Sequence, residues 1–286
     1  MKILPVCAIF IMIAPAAFAQ GAILETLDDL RDTQEPVGFR GTVPARVDLS
    51  SKMPAVRSQF TTSTCVSWAS SYAAASYALR ARGPVSAVTL SPSFTYNQVT
   101  RDQWCRTGPK LSATLNLLRD VGALPIEEFA FDGGWCGRQP TPAQLERAKQ
   151  FRIKGWAAFD ATAVIKVKEQ LARGVPVVFA MNVTRKVQGL RGDAVLDEDD
   201  VPGEGHAMVA VGYDDAKQAF LIQNSWGLSW GNKGYGWFGY DFWVANEWAI
   251  GPQLRFMGMR TSETKSGDDV SAWARSFTLG ISAVFN

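Results

Sequence analysis

Residues 205–215 read GHAMVAVGYDD, a histidine opening an apolar run that closes on two aspartates, and residues 223–227 read QNSWG. Working outward, residues 59–69, QFTTSTCVSWA, place a cysteine upstream of both. His206 is the one histidine in a chain of 286 residues, so any chemistry that needs an imidazole near neutral pH must use it. Thiol, imidazole and carboxamide, at Cys65, His206 and Asn224 in that order, are the parts of a cysteine nucleophile, its base and an orienting group.

The cysteine opens a predicted helix over 63–82, because Val66, Ala69, Ala73, Tyr77 and Arg80 recur at helical spacing before Gly83-Pro84 stops it. Ser63 or Thr64 is the expected N-cap. Cys65 then sits in the first turn, where unpaired backbone N–H groups favour a thiolate and so a more acidic thiol. Further helices are expected from Ser91-Pro92 to about Thr100, from Leu111 to Val121, and after Thr141-Pro142. The chain then changes character, with predicted strands at 153–159, 175–183, 206–213, 219–224 and 235–243, interrupted by one helix over 162–173. The segment from Val43 reads as extended, since Pro44 and Pro54 oppose a helix. The pattern is α+β: a helical half at about 60–140, and a β-rich half at about 141–250 joined by the N-terminal extended segment, with a cleft between them.

A hydrophobic fraction of 47% against 20% charged residues supports a large core. The 29 basic and 27 acidic residues leave a net charge of +2, which argues against a nucleic-acid partner. Lys2, the apolar run to Phe18, and Ala17 and Ala19 before Gln20 read as a signal peptide over residues 1–19, hence export to a periplasmic or extracellular location without stable membrane insertion. Residues 20–42 read as a short propeptide or N-terminal arm, with a short helical pattern in LETLDDLRD. Loss of Cys7 with the signal leaves Cys65, Cys105 and Cys136. Three thiols in an oxidising compartment suggest one pair and one free, with Cys65 in the reactive setting, although all free or a different pairing stays open.

Over roughly residues 43–250 the chain resembles the papain-like cysteine peptidases, a resemblance carried by Gln59 six residues before Cys65, by GHAMVAVGYDD, and by Asn224-Ser225-Trp226-Gly227 followed by SWGNKGYGWF. His206 lies 141 residues after Cys65 and Asn224 lies 159 after it, against the family's range of about 130–150. The resemblance implies a papain-like fold, with a helical subdomain and a β-barrel-like subdomain enclosing a cleft. It implies hydrolysis of protein or peptide substrates through a thioester acyl-enzyme on Cys65, with His206 and Asn224 completing the catalytic group. Gln59 takes the oxyanion-hole role and Trp226 shields the His206–Asn224 bond. Cys105 and Cys136 match the general region of a family disulfide. No cofactor or metal is implied, and a peptidase inhibitor is a further partner. Val66-Ser67-Trp68 departs from the family, which has tryptophan directly after the nucleophile, and residues 20–42 leave no room for its long inhibitory prosegment.

Two segments fall outside the resemblance. Residues 189–205 insert Asp193, Asp197, Glu198, Asp199, Asp200 and Glu204 before His206, a solvated acidic loop or a flap favouring basic substrates. Residues 251–286 form a C-terminal extension in which Phe277 to Phe285 alternate as a strand. Two other functions compete with the peptidase: an inert papain-like binding module, and a Cys-His acyltransferase of transglutaminase or NlpC/P60 type.

Overall fold

Pro92 at the first helical position, with the Ser91 hydroxyl accepting the N–H of Phe94, starts a helix where the sequence places one. The computed structural model describes residues 21–25, 28–30, 39, 41–81, 88–160, 162–198, 202–245 and 255–260. The proposed signal at 1–19 and the strand expected at 277–285 lie outside the described residues.

The helix that carries the nucleophile runs as α1 (Cys65–Ser67), a π-helical stretch Trp68–Ala75, and α2 (Ser76–Arg80). The regular spacing had predicted an α-helix throughout. The middle is instead wound wider, and the Ser76 hydroxyl reaches back five residues to the Ser71 carbonyl. Its small residues allow burial on every side, and Ser71 is tied to Thr95 by a 2.7 Å hydroxyl bond. Against it pack α3 (Pro92–Thr100) and α4 (Leu111–Asp120), whose Leu111, Leu115 and Leu118 share a buried face. Next come α5 (Pro142–Ala148), started by a capping box between Thr141 and Gln144, then α6 (Val164–Ala172), α7 (Arg185–Gly189) and α8 (Tyr240–Ala245).

The strands are β1 (Arg46–Asp48), β2 (Gly155–Asp160), β3 (Val177–Thr184), β4 (Val195–Leu196), β5 (Pro202–Asp214), β6 (Ala219–Gln223), β7 (Tyr235–Gly239) and β8 (Arg255–Arg260). They form one mixed sheet in the order β2-β8-β3-β5-β6-β7-β4, with β1 pairing on β5. The sheet is an open path rather than a closed barrel. The extended segment at the start of the domain thus joins the β half, and β8, from the stretch read as a C-terminal extension, lies between β2 and β3.

The strand expected over 235–243 stops at Gly239, and Tyr240–Ala245 is helical. Phe242 and Trp243 are adjacent and both buried. A strand would send them to opposite faces, whereas a helical turn brings both into one core, where Trp243 lies 4.6 Å from Phe220 and 4.8 Å from Phe179 between ring centroids. A second core joins the halves, with Cys65, Val66 and Leu115 from the helices meeting Val209 and Val211 of β5.

The described acids of the insert do not form a free flap. Val195–Leu196 adds a parallel edge strand to β7, Glu198 pairs with Lys186 at 2.8 Å, and Asp193 accepts from Asn232. Asp199 and Asp200 lie outside the described residues.

Candidate active site

Thr64 is the N-cap position of α1, but its hydroxyl bonds to Thr62 Oγ1 at 2.7 Å instead of capping the helix. Cys65 therefore takes the first helical position, fully buried, with a free thiol. Burial pushes that thiol up to about 11, while hydrogen bonds from the backbone of Ala207, Val66, Cys65 and Ala22 pull the other way. The expectation that helix position makes the thiol more acidic is corrected in this conformation, because desolvation outweighs the backbone donors.

Cys65 shares one buried apolar cluster with Ala207, the residue after His206 on β5. His206 faces Met181 across the β3–β5 ladder and is fully buried. Its Nε2 lies 2.8 Å from Asn224 Oδ1, just past the end of β6. The same oxygen accepts the Ser225 N–H at 2.7 Å, and the Asn224 N–H donates to Gly234 O at 3.0 Å. Burial lowers the imidazole to about 4, with the Asn224 bond opposing the shift. Trp226 stacks on the imidazole at 4.4 Å and 24° and covers that side of the pair.

Gln59 is buried and links the two halves. Its backbone N–H donates to Ser225 O at 2.8 Å, its Oε1 accepts the Ser225 hydroxyl at 2.6 Å, and its Nε2 donates to Thr62 O at 2.7 Å. The turn after it is strained, since Phe60 has φ 54 and is held by Ser58 Oγ at 3.0 Å. A bulky residue there costs on the order of 1–3 kcal/mol. Cys105 and Cys136 form a disulfide, and the Cys105 carbonyl accepts the N–H of Ser63, two residues before the nucleophile, at 2.7 Å. His206 and Asn224 thus meet directly, Cys65 packs beside Ala207, and the disulfide braces the loop that leads into the nucleophile.

What sequence reasoning did not place is where the arm, expected within residues 20–42, lies at Gly21 to Glu25. The N–H groups of Gly21 and Ala22 donate to Gly205 O at 2.7 and 2.9 Å, Ala22 packs in the same buried cluster as Cys65, and Ile23 donates to Pro109 O at 3.2 Å. The Glu25 carboxylate accepts the N–H of Ser112 at 2.9 Å and, through a short bond, its hydroxyl. The arm crosses from the β half to the helical half over the thiol. Two glycines permit this approach: a Cβ on Gly108 would lie 1.0 Å from Gly21 O, and one on Gly205 would lie 2.2 Å from Ala22 O. The signal in the sequence was the Gly21-Ala22 pair just past the expected cleavage point, which no local pattern connects to residues 108 or 205.

Among the described residues no cluster of three or more His, Cys, Asp or Glu side chains could hold a metal ion, and no helix is long and apolar enough to cross a membrane.

Residues 43–246 match the family described as "Papain family cysteine protease". Cathepsin K of Mus musculus is 26% identical over 213 residues, covering 71% of this chain and 62% of that protein. A viral cathepsin of Cydia pomonella granulosis virus is 25% identical over 154 residues, covering 52% of this chain and 43% of that protein. The chain thus spans less than two thirds of the length of these curated relatives. Among solved structures, xylellain, a cysteine protease from Xylella fastidiosa, superposes with a TM-score of 0.68 at 20% identity, over 87% of this chain and 97% of that one. A cysteine protease of Carica candamarcensis in complex with E-64 gives 0.58 at 19% identity, over 77% of this chain and all of that one. Both similarities concern the fold.

Proposed function

The chain belongs to the papain family of cysteine proteases, and from that premise we propose that it is an exported peptidase that hydrolyses peptide bonds through Cys65, His206 and Asn224. The observation that carries the reading is the 2.8 Å bond from His206 to Asn224, with Cys65 packed in one buried cluster with the very next residue, Ala207. In this reading the sulfur attacks the scissile carbonyl carbon while His206 holds the thiol proton. His206 gives that proton to the leaving amine as the C–N bond breaks and the thioester forms. Water activated by His206 then cleaves the thioester, releasing acid and restoring the thiol. Asn224 fixes the ring through a neutral acceptor, so it orients the imidazole without adding charge. Gln59 and the Cys65 backbone N–H serve the oxyanion, with a few kcal/mol per donor at stake. Export is supported by the Lys2 and Ala17-to-Ala19 pattern and by the Cys105–Cys136 disulfide, which suits an oxidising compartment.

The arm packs against the buried thiol, so turnover requires it to move aside. A chain that never releases the arm would be the inert scaffold. The test is cleavage of casein and of a mixed peptide library by the full chain and by its Glu25→Lys and Cys65→Ala forms. Hydrolysis that rises with Glu25→Lys and vanishes with Cys65→Ala is expected. Transfer of the acyl group to added amines in place of hydrolysis, or no thiol-dependent cleavage by Glu25→Lys, overturns the reading.

A further inference from the structure

We propose that a small cavity beside Asn224 binds one water molecule, and that Trp68 and Gln223 act through it as positioning residues for the Asn224 side chain. The inference deepens the peptidase reading and rests on it. Trp68 and Tyr72 from the nucleophile helix, with Ala207, Met208, Gln223 and Asn224 from the β half, line a cavity of about 20 Å³. That is room for one water. Three of these side chains each bring a buried polar atom with no protein partner among the described residues: Trp68 Nε1, Gln223 Oε1 and Asn224 Nδ2. All three residues are at most 4% exposed, so each atom bears its full desolvation penalty unless a group in the cavity meets it.

Neighbouring bonds fix the chemistry of each atom. Asn224 Oδ1 accepts the Ser225 N–H at 2.7 Å, a group that can only donate, so the other amide atom is a nitrogen and His206 Nε2 carries the proton of the 2.8 Å bond. Gln223 Nε2 donates to Pro54 O at 2.9 Å, which leaves its Oε1 an acceptor. The Trp68 indole can only donate. Two donors and one acceptor match a water, which takes both N–H groups on its lone pairs and gives a hydrogen to Gln223 Oε1. Its second hydrogen can go to the Tyr72 oxygen, whose own proton is given to Ala55 O at 2.6 Å. A small anion would meet the two donors but face the Gln223 carbonyl oxygen with nothing to offer it. Donation from Asn224 Nδ2 to the water polarises the amide, so Oδ1 becomes a stronger acceptor for the imidazole N–H and the amide plane is held at both ends. Trp68 and Gln223 thereby orient His206 without touching it.

A high-resolution crystal structure of the full chain tests the water, and kinetics in the Glu25→Lys background test the positioning. Ordered density within about 3.2 Å of all three atoms is expected. No density there, or an anomalous peak after a bromide soak, overturns the water. Trp68→Phe removes the indole N–H and Gln223→Met removes the acceptor oxygen. Each is expected to lower kcat about three- to tenfold with KM within about twofold. In Glu25→Lys/Asn224→Ala the same substitutions should change kcat by less than about twofold, because the group they act through is gone. Equal losses with and without the Asn224 side chain overturn the positioning role, since a packing fault does not depend on that amide. Should Gln223→Met fail to fold for want of the Pro54 bond, Trp68→Phe carries the comparison. No turnover by Glu25→Lys sinks the peptidase and the positioning role with it, while the water stands or falls on the crystal structure alone.

Discussion

Asn224 Oδ1 stands 2.8 Å from His206 Nε2 and is itself pinned by the Ser225 N–H at 2.7 Å. Because Ser225 also gives its hydroxyl to Gln59, the group that orients the imidazole is coupled to the residue read as an oxyanion donor. Removing the Asn224 side chain leaves the imidazole held by Trp226 stacking alone. In an arm-released background, Asn224→Ala is expected to lower kcat about 10- to 100-fold with little change in KM, the loss of one oriented hydrogen bond. Steady-state kinetics on one peptide decide it, and an unchanged kcat removes Asn224 from the catalytic group.

Gly108 offers a way to expel the arm without touching the thiol. The three nearest atoms to a Cβ at this position all belong to Gly21, the closest at 1.0 Å, so Gly108→Ala clashes with the arm backbone. The variant is expected to fold and to raise the rate of Cys65 alkylation by iodoacetamide at least tenfold, as the covered state loses its closest packing. Alkylation as slow as in the parent chain shows that something other than the arm shields the thiol.

Stability should fall on both sides of neutrality. Burial lowers His206 from 6.5 to about 4. The unfolded chain therefore takes up a proton that the folded chain refuses, and stability is lost as pH falls from about 6.5 toward 4, on the order of 3 kcal/mol in all. Cys65 is raised from 9.0 to about 11, so the unfolded thiol ionises first and stability is lost as pH rises from about 9 toward 11. Urea unfolding between pH 4 and 11 measures this. Replacing Cys65 by alanine should remove the loss that begins between pH 9 and 10, above which Tyr77, Tyr96 and Tyr235, also raised by burial, add their own, and an onset unchanged below pH 10 assigns it to other groups.

The disulfide closes a loop of 31 residues, worth about 3–4 kcal/mol in the chain-entropy picture. Cys105→Ser/Cys136→Ser is expected to lower Tm by roughly 10 °C. Because the Cys105 carbonyl holds the Ser63 N–H, the same variant should lose activity before it unfolds. Calorimetry beside an activity curve against temperature tests this, and coincident losses would confine the bridge to global stability.

Much of the fold was legible because its signals are local. Ser91-Pro92 and Thr141-Pro142 start helices through their own hydroxyls, and the continuous apolar run from Ala207 to Tyr213 marks a buried strand. Tyr240–Ala245 was misread, since tryptophan and phenylalanine after a strand suit either state until the core they enter is known. The π-helical turns at Trp68–Ala75 escaped for a similar reason: α and π windings share one apolar pattern over eight residues.

By itself the sequence determined the residue types, their order and the frame that carries them, since one histidine, a helix-opening cysteine and an asparagine after a strand are properties of short windows. Tertiary structure alone decided the state of the site. The packing of Ala22 with Cys65 and the bond of Glu25 to Ser112 link segments 43 and 87 residues apart. Burial, which no window of sequence contains, raises the thiol and lowers the imidazole.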